Sequence, residues 1–164
     1  MEKALEAGLV KSIGISNFES DNLDEILKIC KVKPHVEQVE CHPYYQQTNL
    51  KKKLEPYKTI IEAWYPIGHA DKEMLNDPIF VKMGKKYNKT TAQIILRWHI
   101  QTGNVVFPKS TNPVHIKENL NIFDFNLSNE EMEEIRKLDN KKRYVTLTKE
   151  YIDKVCTEYK PKYD

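Results

Sequence analysis

Four short runs rich in Val and Ile, each followed by a stretch of helical period, constrain this chain more than any other feature. They are Lys11–Ser16, Val36–Glu40, Thr59–Trp64 and Val105–Phe107, bounded by Gly, Pro or polar residues. Strands separated by helical crossovers pair in parallel, and a parallel sheet needs helices packed on it. The expected class is therefore α/β. Only four strands are legible, whereas a closed (β/α)₈ barrel needs eight and typically about 250 residues. An open four-strand layer would leave two unpaired edges and an uncovered apolar face, which invites self-association through the strand edges or a covering partner.

The helices between the strands carry their own punctuation. Leu23, Ile26, Leu27 and Cys30 recur at i, i+3, i+4, i+7 behind an expected cap at Ser20 or Asp21. Asp77-Pro78 reads as a cap followed by a first-turn proline, with Phe80, Val81 and Tyr87 as inward candidates. Thr90-x-x-Gln93 and Ser128-x-x-Glu131 both have the form of a capping box. The first opens an apolar helix through Trp98 with Gly103 beyond its end, and the second has Leu127 and Met132 placed as a hydrophobic staple. The tail after Arg143 is aromatic and basic with weaker periodicity.

Composition excludes some classes of partner. With 26 basic and 24 acidic residues the net charge is only +2, so no long-range field favours nucleic acid. The clusters Lys51–Lys53, Lys85-Lys86 and Lys141–Arg143 are short, and each is expected beside a helix end. Three cysteines, Cys30, Cys41 and Cys156, with no C-x-x-C spacing, suggest neither a disulfide framework nor a zinc site. The first residues lack the apolar core of an export signal, and no run approaches the ~18 apolar residues needed to span a bilayer. A reduced, cytoplasmic protein without a membrane partner is the expectation.

In parallel sheets ligands sit at the carboxyl ends of the strands. Here those ends carry Ser16-Asn17, Gln38, Trp64-Tyr65-Pro66-Ile67-Gly68 and Lys109-Ser110. Amide side chains can both donate to and accept from a carboxamide, and a flat indole can stack on a planar ring. After the fourth run, Lys109 and Ser110 precede a short helix whose first turn is set by Pro113, a junction suited to an anion. No G-x-G-x-x-G occurs, so a Rossmann-type pyrophosphate turn is excluded. Taken singly, each feature has a plainer reading as a turn residue, a satisfied amide or a helix start. Their joint occurrence at four successive strand ends favours a cofactor site.

The motifs Gly14-Ile15-Ser16-Asn17-Phe18, Val36-Glu37-Gln38-Val39-Glu40-Cys41-His42-Pro43, Ala63-Trp64-Tyr65-Pro66-Ile67-Gly68, Gln93–Trp98, Pro108-Lys109-Ser110 and Ile122-Phe123-Asp124-Phe125-x-Leu127 follow one another in an order and spacing that resemble the aldo-keto reductases. The resemblance runs over nearly the whole chain except the last twenty or so residues. It implies that residues 1–164 are a single domain, the C-terminal half of a TIM (β/α)₈ barrel, supplying about its last four β/α units and a C-terminal helix. It also implies an NAD(P)H-dependent oxidoreductase that reduces aldehydes and ketones. By the resemblance, Ser16, Asn17 and Gln38 hold the nicotinamide carboxamide and Trp64 stacks on the ring. Tyr65, Ile67 and Gly68 follow the pyrophosphate, Lys109, Ser110 and Thr111 meet the adenosine 2′-phosphate, and Glu118 and Asn119 lie near the adenine. His115 stands where many members have an arginine, and a mostly neutral imidazole makes no bidentate fork. NADP(H) is thus favoured as cofactor, with NAD(H) admitted. Tyr65 stands where a serine is frequent.

The resemblance further implies what is missing. The family's catalytic Asp, Tyr, Lys and His lie upstream of the fourth barrel helix, in which Met1 would fall, so no catalytic residue is assigned here. The chain by itself is expected to be inactive, with a small carbonyl substrate bound only in a complete barrel. Tyr44, Tyr45, His42 and His69, in loops after strands, are the candidates for a substitute acid. Two other readings remain beside the enzyme fragment: a nucleotide-binding or scaffold half-barrel that pairs with another chain, and a regulatory relative that binds cofactor without turnover.

Overall fold

The computed structural model describes residues 1–146 and 148–158, the side chains of 155 and 156 excepted. Its elements are helix α1 (Glu2–Glu6), strand β1 (Gly14–Ser16), α2 (Ser20–Ile29), β2 (Val36–Glu40), α3 (Thr48–Leu54), β3 (Ile60–Trp64), α4 (Lys72–Leu75), α5 (Pro78–Tyr87), α6 (Thr91–Gln101), β4 (Val105–Val106), α7 (Pro113–Leu120), α8 (Asn129–Arg136) and α9 (Lys149–Glu158). The strands form one parallel sheet in chain order, β1-β2-β3-β4. The first strand is shorter than expected. Lys11–Ile13 stand outside the ladder because pairing begins at Gly14 opposite Val36, and the Ile13 amide donates instead to His35 Nδ1.

Alternation along the strands separates two faces. Val39, Cys41, Ile61 and Ala63 join Leu23 and Leu27 of α2 and Leu50 and Leu54 of α3 in one apolar cluster. A second cluster gathers Phe80 and Met83 of α5, Ile94–Leu96 and Trp98 of α6, Ile135 of α8, and Ile122, Phe125 and Leu127. The Ile94–Trp98 run is thus core, as the sequence indicates. The other sheet face is open: Ile60 is 45% exposed and Val105 41%, with Phe107 beyond them at 48%. Both edges are bare among the described residues, since β1 pairs only with β2 and β4 only with β3.

The caps of α5, α6 and α8 follow the sequence. Asp77 accepts from Ile79 N with Pro78 behind it, both capping boxes close reciprocally, and Gly103 takes the left-handed conformation just past α6. Leu127 and Met132 pack on the same core. Two expectations need correction. The N-cap of α2 is Glu19, not Ser20 or Asp21, and no side chain closes it. The Glu19 carboxylate is drawn away by Arg143 Nη1 at 2.9 Å and Nη2 at 3.2 Å, and by Gln47. The third basic cluster is likewise not a helix-end group. Lys141 pairs with Asp139, Lys142 with Glu73 and Asp71, and Arg143 with Glu19, all in the connection after α8. Cys30 and Cys41 are unbridged, while Cys156 lies outside the described side chains.

Candidate cofactor site

Because sheet order equals chain order, the candidate residues follow one another across the sheet in sequence: Ser16 at the end of β1, Gln38 beside it at the middle of β2, Trp64 at the end of β3, Lys109 past β4. At the β1 end, Ser16 Oγ donates to the Gln38 carbonyl at 3.1 Å and Asn17 N donates to the same oxygen at 3.0 Å. Asn17 adopts φ 60°, a left-handed conformation that asparagine tolerates better than most residues. Its Oδ1 accepts the Trp64 indole N–H at 3.0 Å. An indole nitrogen only donates, so this contact fixes the amide orientation and turns Nδ2 outward as a donor. Gln38 Nε2 donates to Glu62 at 3.3 Å, which leaves Oε1 as an acceptor. One amide donor and one amide acceptor are what a carboxamide requires.

Trp64 is held on a second side by Tyr65, whose ring meets it edge-on at 4.8 Å and 78°. Tyr65 itself has φ 53° and packs against His69 at 4.7 Å. Ser16, Asn17, Trp64 and Tyr65 converge on a cavity of about 620 Å³, closed by Arg143, Val145 and, from α9, Tyr151 and Ile152. Ile67 and Gly68 lie further along the same loop. Gly68 is in the left-handed region at φ 58°, and a Cβ there would come within 2.9 Å of both Met74 and the Tyr144 hydroxyl.

The junction after β4 stands apart from that cavity. Ser110 Oγ accepts the Asn112 amide at 3.1 Å and donates to the Asn112 carbonyl at 3.5 Å, a long contact that closes the turn on itself. Asn112 caps α7 by accepting from Val114 N at 2.9 Å. Lys109, Thr111 and His115 are exposed, and Glu118 and Asn119 half-buried. Gln93, which closes the α6 capping box, also donates to the carbonyls of Glu118 and Asn121 and ties the end of α7 to α6.

The cavity wall from the tail was not legible in the sequence. It depends on Glu40, fully buried on β2, which accepts from Tyr144 N at 2.6 Å, from Val145 N at 3.4 Å and from His42 Nε2 at 3.2 Å, with Arg143 Nε 3.6 Å away. Burial raises the Glu40 pKa, but the bonds from His42 and Tyr144 outweigh it and hold the carboxyl below the ordinary range. The Tyr144 hydroxyl hydrogen-bonds Asp71, and Arg143 lies over the Tyr45 ring at 4.9 Å. Arg143 in a weakly periodic stretch was the only available signal.

A parallel sheet with helices between its strands, and with amide, indole and basic groups along one end of it, defines an α/β class of protein with a candidate ligand site at that end. Comparison with known proteins narrows it: a model of the Aldo/keto reductase family matches residues 1–140, and the chain belongs to that family. It is 46% identical over 146 residues to aldose reductase B of Dictyostelium discoideum, covering 89% of this chain and 47% of that protein. It is 43% identical to a 9,11-endoperoxide prostaglandin H2 reductase of Trypanosoma cruzi, covering 87% and 51%. A Bombyx mori aldo-keto reductase solved with NADP superposes with a TM-score of 0.82 at 29% identity, over 90% of this chain and 50% of that one. The aldose reductase of Schistosoma japonicum gives 0.82 at 37%, over 90% and 48%. The chain spans about half the length of the relatives it matches. Among the described residues no helix is long and apolar enough to cross a membrane, and no group of His, Cys, Asp and Glu could hold a metal ion.

Proposed function

We propose that this chain is the cofactor-binding part of an NAD(P)H-dependent carbonyl reductase. The nicotinamide, when bound, supplies a hydride. Asn17 and Gln38 would hold its carboxamide, one as donor and the other as acceptor, with the Ser16 hydroxyl beside them and the Trp64 ring face to stack on. Tyr65, Ile67 and Gly68 would meet the pyrophosphate, Lys109, Ser110 and Thr111 the 2′-phosphate, and His115, Glu118 and Asn119 the adenine. The observation that carries this reading is the Trp64–Asn17 hydrogen bond, which presets an indole face and an amide donor together. NADP(H) is preferred over NAD(H) because Lys109 offers a positive charge to a 2′-phosphate and the Ser110 hydroxyl, held only by a 3.5 Å contact to the Asn112 carbonyl, can turn to donate to it.

Titration with NADPH is expected to quench Trp64 emission, more strongly than NADH at equal concentration, and Trp64→Ala is expected to abolish the quench. Trp98 is buried in the core and serves as the internal reference. An unchanged quench in Trp64→Ala would remove the stacking role.

The open face bearing Ile60, Val105 and Phe107 supports a second reading, in which the sheet is completed by another half-barrel. Sedimentation of the purified chain is then expected to give a dimer or larger species, shifted toward monomer by Val105→Lys. A wild-type monomer at high concentration argues against it.

A further inference from the structure

Two carboxylates of β2 are fully buried, and only Glu40 is accounted for by the site. Glu37 lies on the sheet face that α2 covers, beside Val39 and in register with Ile15 and Ile61. Its Oε1 accepts the Phe18 amide at 2.9 Å. Its Oε2 is buried with no partner among the described residues. A buried polar atom left unpaired in an apolar setting is costly and calls for a reason.

The reason offered by the geometry is the loop above it. Residues 16, 17 and 18 are each tied to β2, the first two through the Gln38 carbonyl and the third through the Glu37 side chain. Asn17, between them, turns left-handed, and its direction decides whether Oδ1 meets the indole of Trp64. We propose that Glu37 is a positioning residue for the cofactor loop: by holding the Phe18 amide it fixes the turn that aims Asn17 at Trp64, and loss of that hold uncouples the two. The proposal rests on the cofactor reading of Asn17 and Trp64.

The hold responds to pH. Burial pushes the Glu37 pKa up to about 7, the Phe18 amide pulls it down, and the charge on Glu19 adds to the rise. No cation is turned toward it among the described residues. Arg143 is committed to Glu19 and Glu40, Lys53 of α3 pairs with Asp24 of α2 at 2.6 Å, and Lys51 lies near Trp98. Below pH 7 the neutral acid fits its apolar surroundings. Above it, the ionised carboxylate is the stronger acceptor for the Phe18 amide, but its orphan oxygen requires water, and the Phe18–Glu19 segment shifts to admit it.

The full chain contains two tryptophans, so the indole N–H resonance of Trp64 is readily followed by NMR. In wild type it is expected to move with a midpoint near pH 7. Glu37→Gln keeps an acceptor for Phe18 and removes the titration, so the resonance stays near its low-pH position. Glu37→Leu lacks the acceptor and places it at a pH-independent position away from that of the Gln variant. The wild-type and Gln chains share every other titratable group, so the difference between their curves isolates Glu37. A wild-type resonance that does not move, or a Gln variant that titrates as wild type does, overturns the proposal even if Glu37→Leu fails to fold. NADPH titrated in parallel is expected to bind roughly tenfold more weakly to wild type at high pH than at low, the worth of about one hydrogen bond, and equally at both to the Gln variant. A resonance that follows Glu37 in a chain that never binds NADPH would defeat the cofactor reading and leave the Glu37–Asn17 link standing.

Discussion

Incubated with NADPH and an aldehyde, the purified 164-residue chain is expected to consume no cofactor above the uncatalysed background. Hydride delivery to a carbonyl needs a proton at the developing alkoxide, and a positioned acid contributes roughly 10²–10⁴ in rate. None of the residues that could improvise that acid is placed to do so. Tyr44 is buried with its hydroxyl donated to Asp77 at 3.0 Å, and burial and that carboxylate push its pKa far up. Tyr45 lies beneath Arg143 and is also raised by burial. His42 is fully buried against Glu40. His69 is exposed, but it is stacked on Tyr65 outside the cavity. Cofactor turnover should appear when the chain is refolded with the complementary half of a family member, which would close the sheet over Ile60, Val105 and Phe107. Turnover by the chain alone that is abolished by His69→Ala would sink the expectation and make His69 the acid.

How much of this was legible depended on whether the signal was local. Thr90, Gln93, Ser128, Glu131, Asp77 and Pro78 announce helix ends because a cap is decided within four residues. The strand centres were equally plain, since β-branched runs between breakers have few other fates. The α2 cap departs from the local pattern because Glu19 answers to Arg143, a residue 124 positions away. The site divides along the same line. Ser16, Asn17 and Trp64 sit at strand ends and Gln38 at mid-strand, all at positions that follow from the alternation. The Val145 part of the wall is fastened by Glu40, which collects amides about a hundred residues on, and Tyr151 and Ile152 of α9 complete it, in a stretch with no period to read. The two glutamates of β2 look alike in sequence, yet one is satisfied and the other half-orphaned. Which face a residue points to follows from the pleat, but what waits there is a tertiary fact.

Replacing Glu40 with Ala is expected to be among the most damaging substitutions in the chain. It removes at once the acceptor for two backbone amides and for His42, and leaves Arg143 with one carboxylate fewer. Breaking a buried, paired charge costs about 3–5 kcal/mol, which at this chain length lowers the melting temperature by on the order of 10 °C. The exposed Lys53–Asp24 pair is the contrast: Lys53→Ala should cost under about 1 kcal/mol. The pH dependence carries a sign as well. The Glu40 pKa is depressed in the fold, so its contribution is present above the ordinary carboxylate value of 4.5 and lost as pH falls. Glu37 is raised to about 7, so its contribution is present below 4.5 and lost as pH rises through 7. The two carboxyls together favour a stability maximum near 4.5, below which the Glu40 contribution declines and above which the Glu37 contribution does. Glu40→Ala flattens the acid side of that profile, whereas Glu37→Gln flattens the neutral side. Freed from Glu40, the 141–145 connection should be cut by trypsin after Lys141, Lys142 or Arg143 faster than in wild type. The NADPH quench of Trp64 should weaken with it, because Val145, Tyr151 and Ile152 no longer close the cavity. A Glu40→Ala chain that melts within 1 °C of wild type and resists trypsin equally would show that the tail is held by packing alone, and that the buried network is a passenger on it.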